Sequence, residues 1–145
     1  MKTLKQLLDG RDRPLAACSP GDTVFHALKI MADHDVGAVL VMDGEALVGI
    51  LSERDYARKV ILQGKSSKEM QVRDLMTERV VVVTIHRTIQ ECMALMTEKH
   101  FRHLPIVDDA GAVIGIVSNR DLVREIISDQ QFIIHELERY INGQA

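Results

Sequence analysis

The chain has 145 residues, 46% of them hydrophobic, which suits one compact domain or two small repeated ones around a buried core. A formal net charge of -3, with basic residues scattered among acids, predicts neither a nucleic acid nor a membrane as a partner. The apolar runs are too short to cross a bilayer, and residues 1–10 are too polar for a secretory signal, so we expect a cytoplasmic protein.

The first half of the chain predicts one structural unit. Thr23 suits the N-cap of an amphipathic helix, because apolar residues recur after it at i, i+3, i+4 and i+7. Two β-branched runs around an Asp-Gly turn then predict a hairpin. In chain order the elements are a strand at 15–19, a helix from Val24 through Met31, strands at 38–42 and 47–51, a second helix from Ser52, and a linker at 64–68.

The second half repeats this unit. Residues 23–61 return as residues 88–127 with one extra residue in the hairpin turn, and a strand at 80–84 precedes the second copy. Each unit therefore reads strand, helix, strand, strand, helix, an α+β class with α/β-like character, and we divide the chain into domains 1–68 and 69–145. The identical pairs include Gly49 and Gly115, Ser52 and Ser118, Arg54 and Arg120, and Asp55 and Asp121.

The second helix of each copy is predicted to bury an apolar face. A unit of about 60 residues buries too little surface alone, so the two copies should pack face to face and leave a cleft between them. The residues predicted to be buried are Tyr56, Ala57, Val60 and Ile61 in the first copy, and Leu122, Val123, Ile126 and Ile127 in the second.

The two cysteines are far apart, with no CxxC and no clustered histidines. This pattern indicates neither a disulfide framework nor a structural zinc site, so Cys18 and Cys92 are expected to be small core residues. His100 and His103 form an HxxH pair, but no third ligand lies near them, and metal is not expected.

The chain resembles the CBS domain pair, or Bateman module, over essentially its whole length. The segments that carry the resemblance are GILSERD at 49–55, VRDLMT at 72–77, FRHLPIV at 101–107 and GIVSNRD at 115–121. The resemblance implies two CBS repeats related by pseudo-two-fold symmetry, as in stand-alone bacterial signal-transduction proteins. It also implies a non-enzymatic sensor that binds AMP, ATP or NAD(H) between the repeats, forms a homodimer and regulates an unknown protein, with no catalytic cofactor.

The resemblance also implies a ribose site in each repeat. Asp55 and Asp121 would accept hydrogen bonds from the two ribose hydroxyls, because a carboxylate has two acceptor oxygens. Ser52 and Ser118, at helix N-termini, would contact ribose or the first phosphate. Ser-x-x-Asp is also close to a capping box, which needs no ligand, and this alternative stays open.

Phosphate contacts are implied mainly for the second repeat. Arg102 and His103 occupy the family position of phosphate-binding side chains, where the first repeat carries Gly37 and Ala38. We therefore expect the Asp121 site to prefer a charged nucleotide. The remaining candidate ligand-contacting residues are Ser19 and Thr84 at strand ends, which are alternatively turn residues, Val39 and Leu104, and Arg54 and Arg120, which are alternatively surface ion-pair partners.

Both ends of the chain carry apolar stripes, and the sequence does not decide which surface each stripe packs against. Residues 122–142 read as one long helix whose stripe is longer than one repeat can cover, so it packs on another subunit or folds back on its own repeat. Leu4, Leu7 and Leu8 form a smaller stripe with the same two alternatives.

The sequence also bears on three other functions. An enzyme is disfavoured because the sequence has no phosphate-loop motif, no nucleophile elbow and no HExxH. A scaffold that binds only protein, and a module that binds S-adenosylmethionine or RNA, are the remaining alternatives.

Overall fold

The computed structural model describes residues 2–9 and 14–143. Outside this range lie residues 1 and 10–13 of the first predicted domain and residues 144 and 145 of the second. Residues 1 and 10 are the ends of the segment that is too polar for a secretory signal. The elements are α1 (Leu4–Leu8), β1 (Ala17–Cys18), α2 (Val24–His34), β2 (Ala38–Asp43), β3 (Ala46–Ser52), α3 (Glu53–Tyr56), β4 (Val83–Thr84), α4 (Ile89–Lys99), β5 (His103–Val107), β6 (Val113–Ser118) and α5 (Asn119–Ile141).

Two three-stranded sheets repeat one topology. Their strand orders are β1-β2-β3 and β4-β5-β6, and each has one parallel and one antiparallel pair. The predicted α+β class and the repeated unit are confirmed. The strand lengths predicted at 15–19 and 80–84 are wrong, because β1 and β4 each pair with the neighbouring strand over only two residues.

The opening helices begin and end alike. The Thr23 hydroxyl accepts a hydrogen bond from the His26 N–H, and the Thr88 hydroxyl accepts one from the Glu91 N–H, both at 3.1 Å. Both helices stop at equivalent residues with left-handed backbone, Asp35 at φ 53° and His100 at φ 59°. These stops turn the chain into β2 and β5 at matching points.

The flanking segments are exchanged between two hydrophobic cores. Leu4 and Leu7 of α1 are buried in the core formed by β4, α4, β5, β6 and α5, which settles the partner of the N-terminal stripe. Val72, in a 3-10 turn at Val72–Asp74, and Leu75 are buried in the core of the first unit. The packing therefore crosses residue 68 in both directions, while the domain division at 68 and 69 remains a prediction.

Backbone bonds fix this exchange. The Leu4 N–H donates to the Arg87 carbonyl at 2.9 Å, and an isolated bridge pairs Thr3 with Thr88. The equivalent contacts in the other half are a Val72 N–H bond to the Asp22 carbonyl at 2.8 Å and a bridge between Thr23 and Gln71. This reciprocity gives the two halves their pseudo-two-fold relation.

The burial predicted for the second helices is right for four of the eight residues and wrong for the other four. Val60 and Leu122 are completely buried and Tyr56 and Ile126 partly, but the other four side chains are exposed. A π-helical turn at Ala57–Ile61 follows α3. Each core contacts only one side of the helix, so the neighbouring apolar positions face away from it. The exposed four are Ala57, Ile61, Val123 and Ile127.

The cysteines are core residues, as predicted. Burial raises the pKa of the Cys18 thiol to about 12 and that of the Cys92 thiol to about 11, with Asp22 and Glu91 adding to the respective rises. Both thiols are therefore protonated at neutral pH.

No helix within 2–9 and 14–143 combines the length and apolarity needed to cross a membrane.

Candidate functional site

The site is built at two equivalent strand-to-helix junctions. β3 ends at Ser52 and β6 at Ser118, each with extended backbone, and the next residue begins a helix. The Asp55 N–H donates to Ser52 Oγ and the Asp121 N–H donates to Ser118 Oγ, both at 3.1 Å. The first four N–H groups of a helix lack helical partners, and these hydroxyls satisfy one in each copy.

Both carboxylates complete a capping box. The Ser52 N–H donates to Asp55 Oδ2 at 3.1 Å, and the Ser118 N–H donates to Asp121 Oδ2 at 2.9 Å. The capping interpretation is therefore confirmed. It does not compete with a ligand, because a carboxylate has about four acceptor positions and the cap bond fixes its orientation.

The two repeats meet where β2 and β5 begin. A methyl group placed on Gly37 would lie 3.7 Å from His103 Nε2, so the imidazole of the second repeat lies against the backbone of the first. Glycine at this position leaves the space beside the imidazole open. His103 is half-buried, and its neighbour Arg102 is exposed.

His103 is placed between charged groups from both repeats. Burial lowers its pKa, and Arg102 lowers it further, whereas Asp121 and then Asp55 act in the opposite direction. Carboxylates of both repeats therefore lie close enough to His103 to affect its ionisation. This arrangement brings Asp55, Asp121, Arg102 and His103 to one region between the repeats.

The repeats differ in what lies one helical turn beyond each carboxylate. Lys59 Nζ lies 3.5 Å from Asp55 Oδ1, whereas the equivalent position in the second repeat is Glu125, which pairs with Lys2. Sequence reasoning missed this difference, although Asp55 and Lys59 have the i, i+4 spacing of a helical ion pair. The first carboxylate has a cation beside it, and the second has an added acid in its helix.

The other candidate residues divide into exposed and buried groups. Ser19 and Thr84 are exposed, and their carbonyls accept turn bonds from Asp22 at 3.1 Å and Arg87 at 3.2 Å, so each begins a turn where its strand ends, and its ligand contact stays a prediction. Arg54 and Arg120 are exposed as well. In contrast, the predicted ligand contacts of three core residues would require the cleft to open, namely Ala38, Val39 and Leu104.

The cavities lie elsewhere. One of 550 Å³ is lined entirely by α5 residues, and another of 240 Å³ lies where α5 meets Lys2 and the start of α4. Neither contains the residues around His103, where charge and repeat symmetry argue for a ligand. Within the described ranges no cluster of three or more His, Cys, Asp or Glu could hold a metal ion.

Comparisons with known proteins identify the family. The sequence profile of the CBS domain matches residues 11–61 and 72–128. CBS domain-containing protein CBSX3, mitochondrial, of Arabidopsis thaliana is 42% identical over 131 residues, which cover 87% of this chain and 63% of that protein. The chain thus spans less than two thirds of the length of this curated relative.

Solved structures agree. The crystal structure of the CBS domain of NE2398 is 48% identical, with a TM-score of 0.81, and the match covers 88% of this chain and 99% of that one. CBSX2, solved in complex with AMP, is 27% identical, with a TM-score of 0.70, and the match covers 90% and 99%. Together with the profile matches in both halves, these similarities show that the chain belongs to the CBS domain family, as a tandem pair of CBS repeats.

Proposed function

We propose that this CBS pair is a sensor that binds an adenine nucleotide, AMP, ATP or NAD(H), between its repeats and transmits occupancy to a regulated protein. The observation that carries the proposal is the position of His103, which lies against Gly37 of the first repeat and is affected electrostatically by both Asp55 and Asp121. A cleft with carboxylates from both repeats and the Arg102 guanidinium suits a ligand with both a diol and a phosphate.

Each part of the nucleotide has a partner in this proposal. Asp121, oriented by its cap bond, accepts the ribose hydroxyls. Phosphate lies near Arg102, His103 and the N-terminus of α5, where the helix dipole favours an anion. Asp55 forms a second, weaker site, because Lys59 already neutralises part of its charge.

The AMP complex of CBSX2 supports the choice of ligand class. CBS pairs are regulatory rather than catalytic modules, which agrees with the absence of catalytic motifs in the sequence. The cytoplasmic location and the homodimer remain predictions, and CBSX3, named as mitochondrial, shows that related chains occur in an organelle.

Titration calorimetry of the purified chain with AMP, ADP, ATP, NAD+, NADH and S-adenosylmethionine tests the proposal. Asp121→Asn keeps an oxygen for the cap and removes the charge, and it should weaken binding about tenfold to a hundredfold, since a hydrogen bond to a charged group contributes roughly 1.5–3 kcal/mol. The matched control is Glu91→Gln, because Glu91 has the same capping role in α4.

The outcomes separate the alternatives. Adenine nucleotide binding that Asp121→Asn weakens and Glu91→Gln leaves unchanged supports the proposal. Binding of S-adenosylmethionine alone replaces the nucleotide with an adenosyl ligand, and absence of binding by every compound favours a protein-binding scaffold. Unchanged affinity in Asp121→Asn overturns the ribose role.

A further inference from the structure

α5 extends well past the core that holds its first turns. Its 23 residues span about 34 Å, yet Leu122 is its only fully buried residue within the described part of the chain. Apart from the partly buried Ile126, the large apolar side chains along the rest of the helix are 41% to 79% exposed. They are Val123, Ile127, Phe132, Ile133, Ile134, Leu137, Tyr140 and Ile141.

Six positions of this helix follow a heptad pattern. Isoleucine recurs every seventh residue, at 127, 134 and 141. When the residue four positions before each isoleucine is added, successive positions are separated alternately by four and three residues. This spacing of 3.5 residues is that of the a and d positions of a coiled coil, which face a partner helix. We define the α5 stripe as Val123, Ile127, Gln130, Ile134, Leu137 and Ile141.

We propose that the α5 stripe is covered by α5 of a second copy of this chain, in an antiparallel helix pair. In an antiparallel pair each a residue faces a d residue of the other helix. A two-fold axis beside Phe132 then matches every stripe position: Ile127 faces the partner's Leu137, Ile134 faces the partner's Gln130, and Ile141 faces the partner's Val123. No stripe residue is left without a counterpart, as an isologous interface requires.

Charges beside the stripe select the antiparallel orientation. Arg124 and Glu138 are both exposed at e positions, fourteen residues apart. Antiparallel pairing brings Arg124 next to the partner's Glu138, and symmetry makes this contact twice. A parallel pair would leave the two charges about 21 Å apart along the helix axis, where salt screens them.

The exposed area also fits a second copy. Seven of these large apolar side chains, all except Phe132, lie on or beside the α5 stripe, and together they present an area on the order of the 800 Å² that each partner buries in a stable interface. The 550 Å³ cavity lies on the same side of the helix, lined by stripe residues Val123 and Ile127 and by Arg124. A concave, apolar and charge-flanked surface is what a second helix requires.

Light scattering and sedimentation of the purified full chain at micromolar concentration test the pairing. The wild type should have the mass of a dimer, and Ile134→Glu should weaken the dimer at least about a hundredfold, because it buries a charge twice at the centre. The matched control is Phe132→Glu, since Phe132 is 63% exposed but lies off the stripe. A monomeric wild type, a dimer that survives Ile134→Glu, or equal loss in Phe132→Glu overturns the proposal.

A charge exchange tests the orientation. Arg124→Glu and Glu138→Arg should each weaken the dimer about tenfold, since each places like charges together at two symmetric sites. The double variant Arg124→Glu with Glu138→Arg restores opposite charges and should recover the wild-type affinity. Failure of the double variant to recover overturns the antiparallel register, and circular dichroism of each variant confirms that α5 is still helical.

Discussion

The two repeats share what folds them and differ in what they present. Both carry the same serine cap, the same reciprocal aspartate and the same left-handed stop after the opening helix. Where the first repeat enters its hairpin with Gly37, the second enters with Arg102 and His103. The two repeats are thus alike at their helix caps and differ at the residues that begin their hairpins.

The helices that follow the hairpins differ more. In the first repeat, α3 and the π-helical turn end at Ile61, whereas α5 continues to Ile141. Each helix packs on its core only near its start, through Tyr56 and Val60 in the first repeat and Leu122 and Ile126 in the second. The extra length of α5 therefore adds outer surface to one repeat and nothing to its core.

Truncation of Leu4 tests the exchange of segments between the repeats, and its effect should be the largest. Leu4→Ala should lower the free energy of unfolding by about 2–5 kcal/mol, because this side chain is completely buried in the second core. Chemical denaturation measures the loss. The control Leu62→Ala removes a side chain that is 78% exposed and should change stability by less than about 0.5 kcal/mol. Equal effects would mean that α1 does not belong to the core.

Removal of Arg102 tests the difference between the Asp55 site and the Asp121 site, and its effect should be intermediate. Arg102→Ala should weaken AMP binding about tenfold, since a guanidinium bond to phosphate is lost, and should leave adenosine binding unchanged. Calorimetry with both ligands makes the comparison. Arg139→Ala is the control, because Arg139 pairs with Glu136 in α5. Equal loss for AMP and adenosine would place Arg102 away from the phosphate.

The pH dependence of stability tests the placement of His103 in the cleft, and its expected effect is the smallest. The folded state lowers the pKa of His103 from its usual 6.5, so below pH 6.5 the unfolded chain binds more protons than the folded one. The contribution of His103 to the free energy of unfolding is complete above pH 6.5 and decreases as the pH falls. Denaturation between pH 7.5 and 5 should show a steeper loss in the wild type than in His103→Gln, and parallel curves would contradict the assignment.

Much of the fold could be predicted because its signals are local. The helix period beginning at Val24, the Asp-Gly turn and the Ser-x-x-Asp caps each specify structure within a few residues. The partner of Leu4 could not be predicted, because an apolar stripe indicates that a helix face will be buried but not which core will bury it. The exposure of Ile61 and Ile127 was missed for the same reason.

The site was less predictable than the fold. The family resemblance implied a ribose role for Asp55 and Asp121, and the structure shows that both carboxylates also cap their helices. The position of His103 beside Gly37 depends on how the repeats pack, which no local pattern encodes. Lys59 could have been found from its spacing to Asp55.

The exchanged segments have a consequence for dissection of the chain. A fragment that stops at residue 68 lacks Val72 and Leu75, which fill the first core, and leaves Leu4 and Leu7 without the core that buries them. A fragment that starts there has the opposite defects. We therefore expect that neither half folds on its own, and that the smallest unit suited to expression, crystallisation or grafting onto another protein is the intact pair.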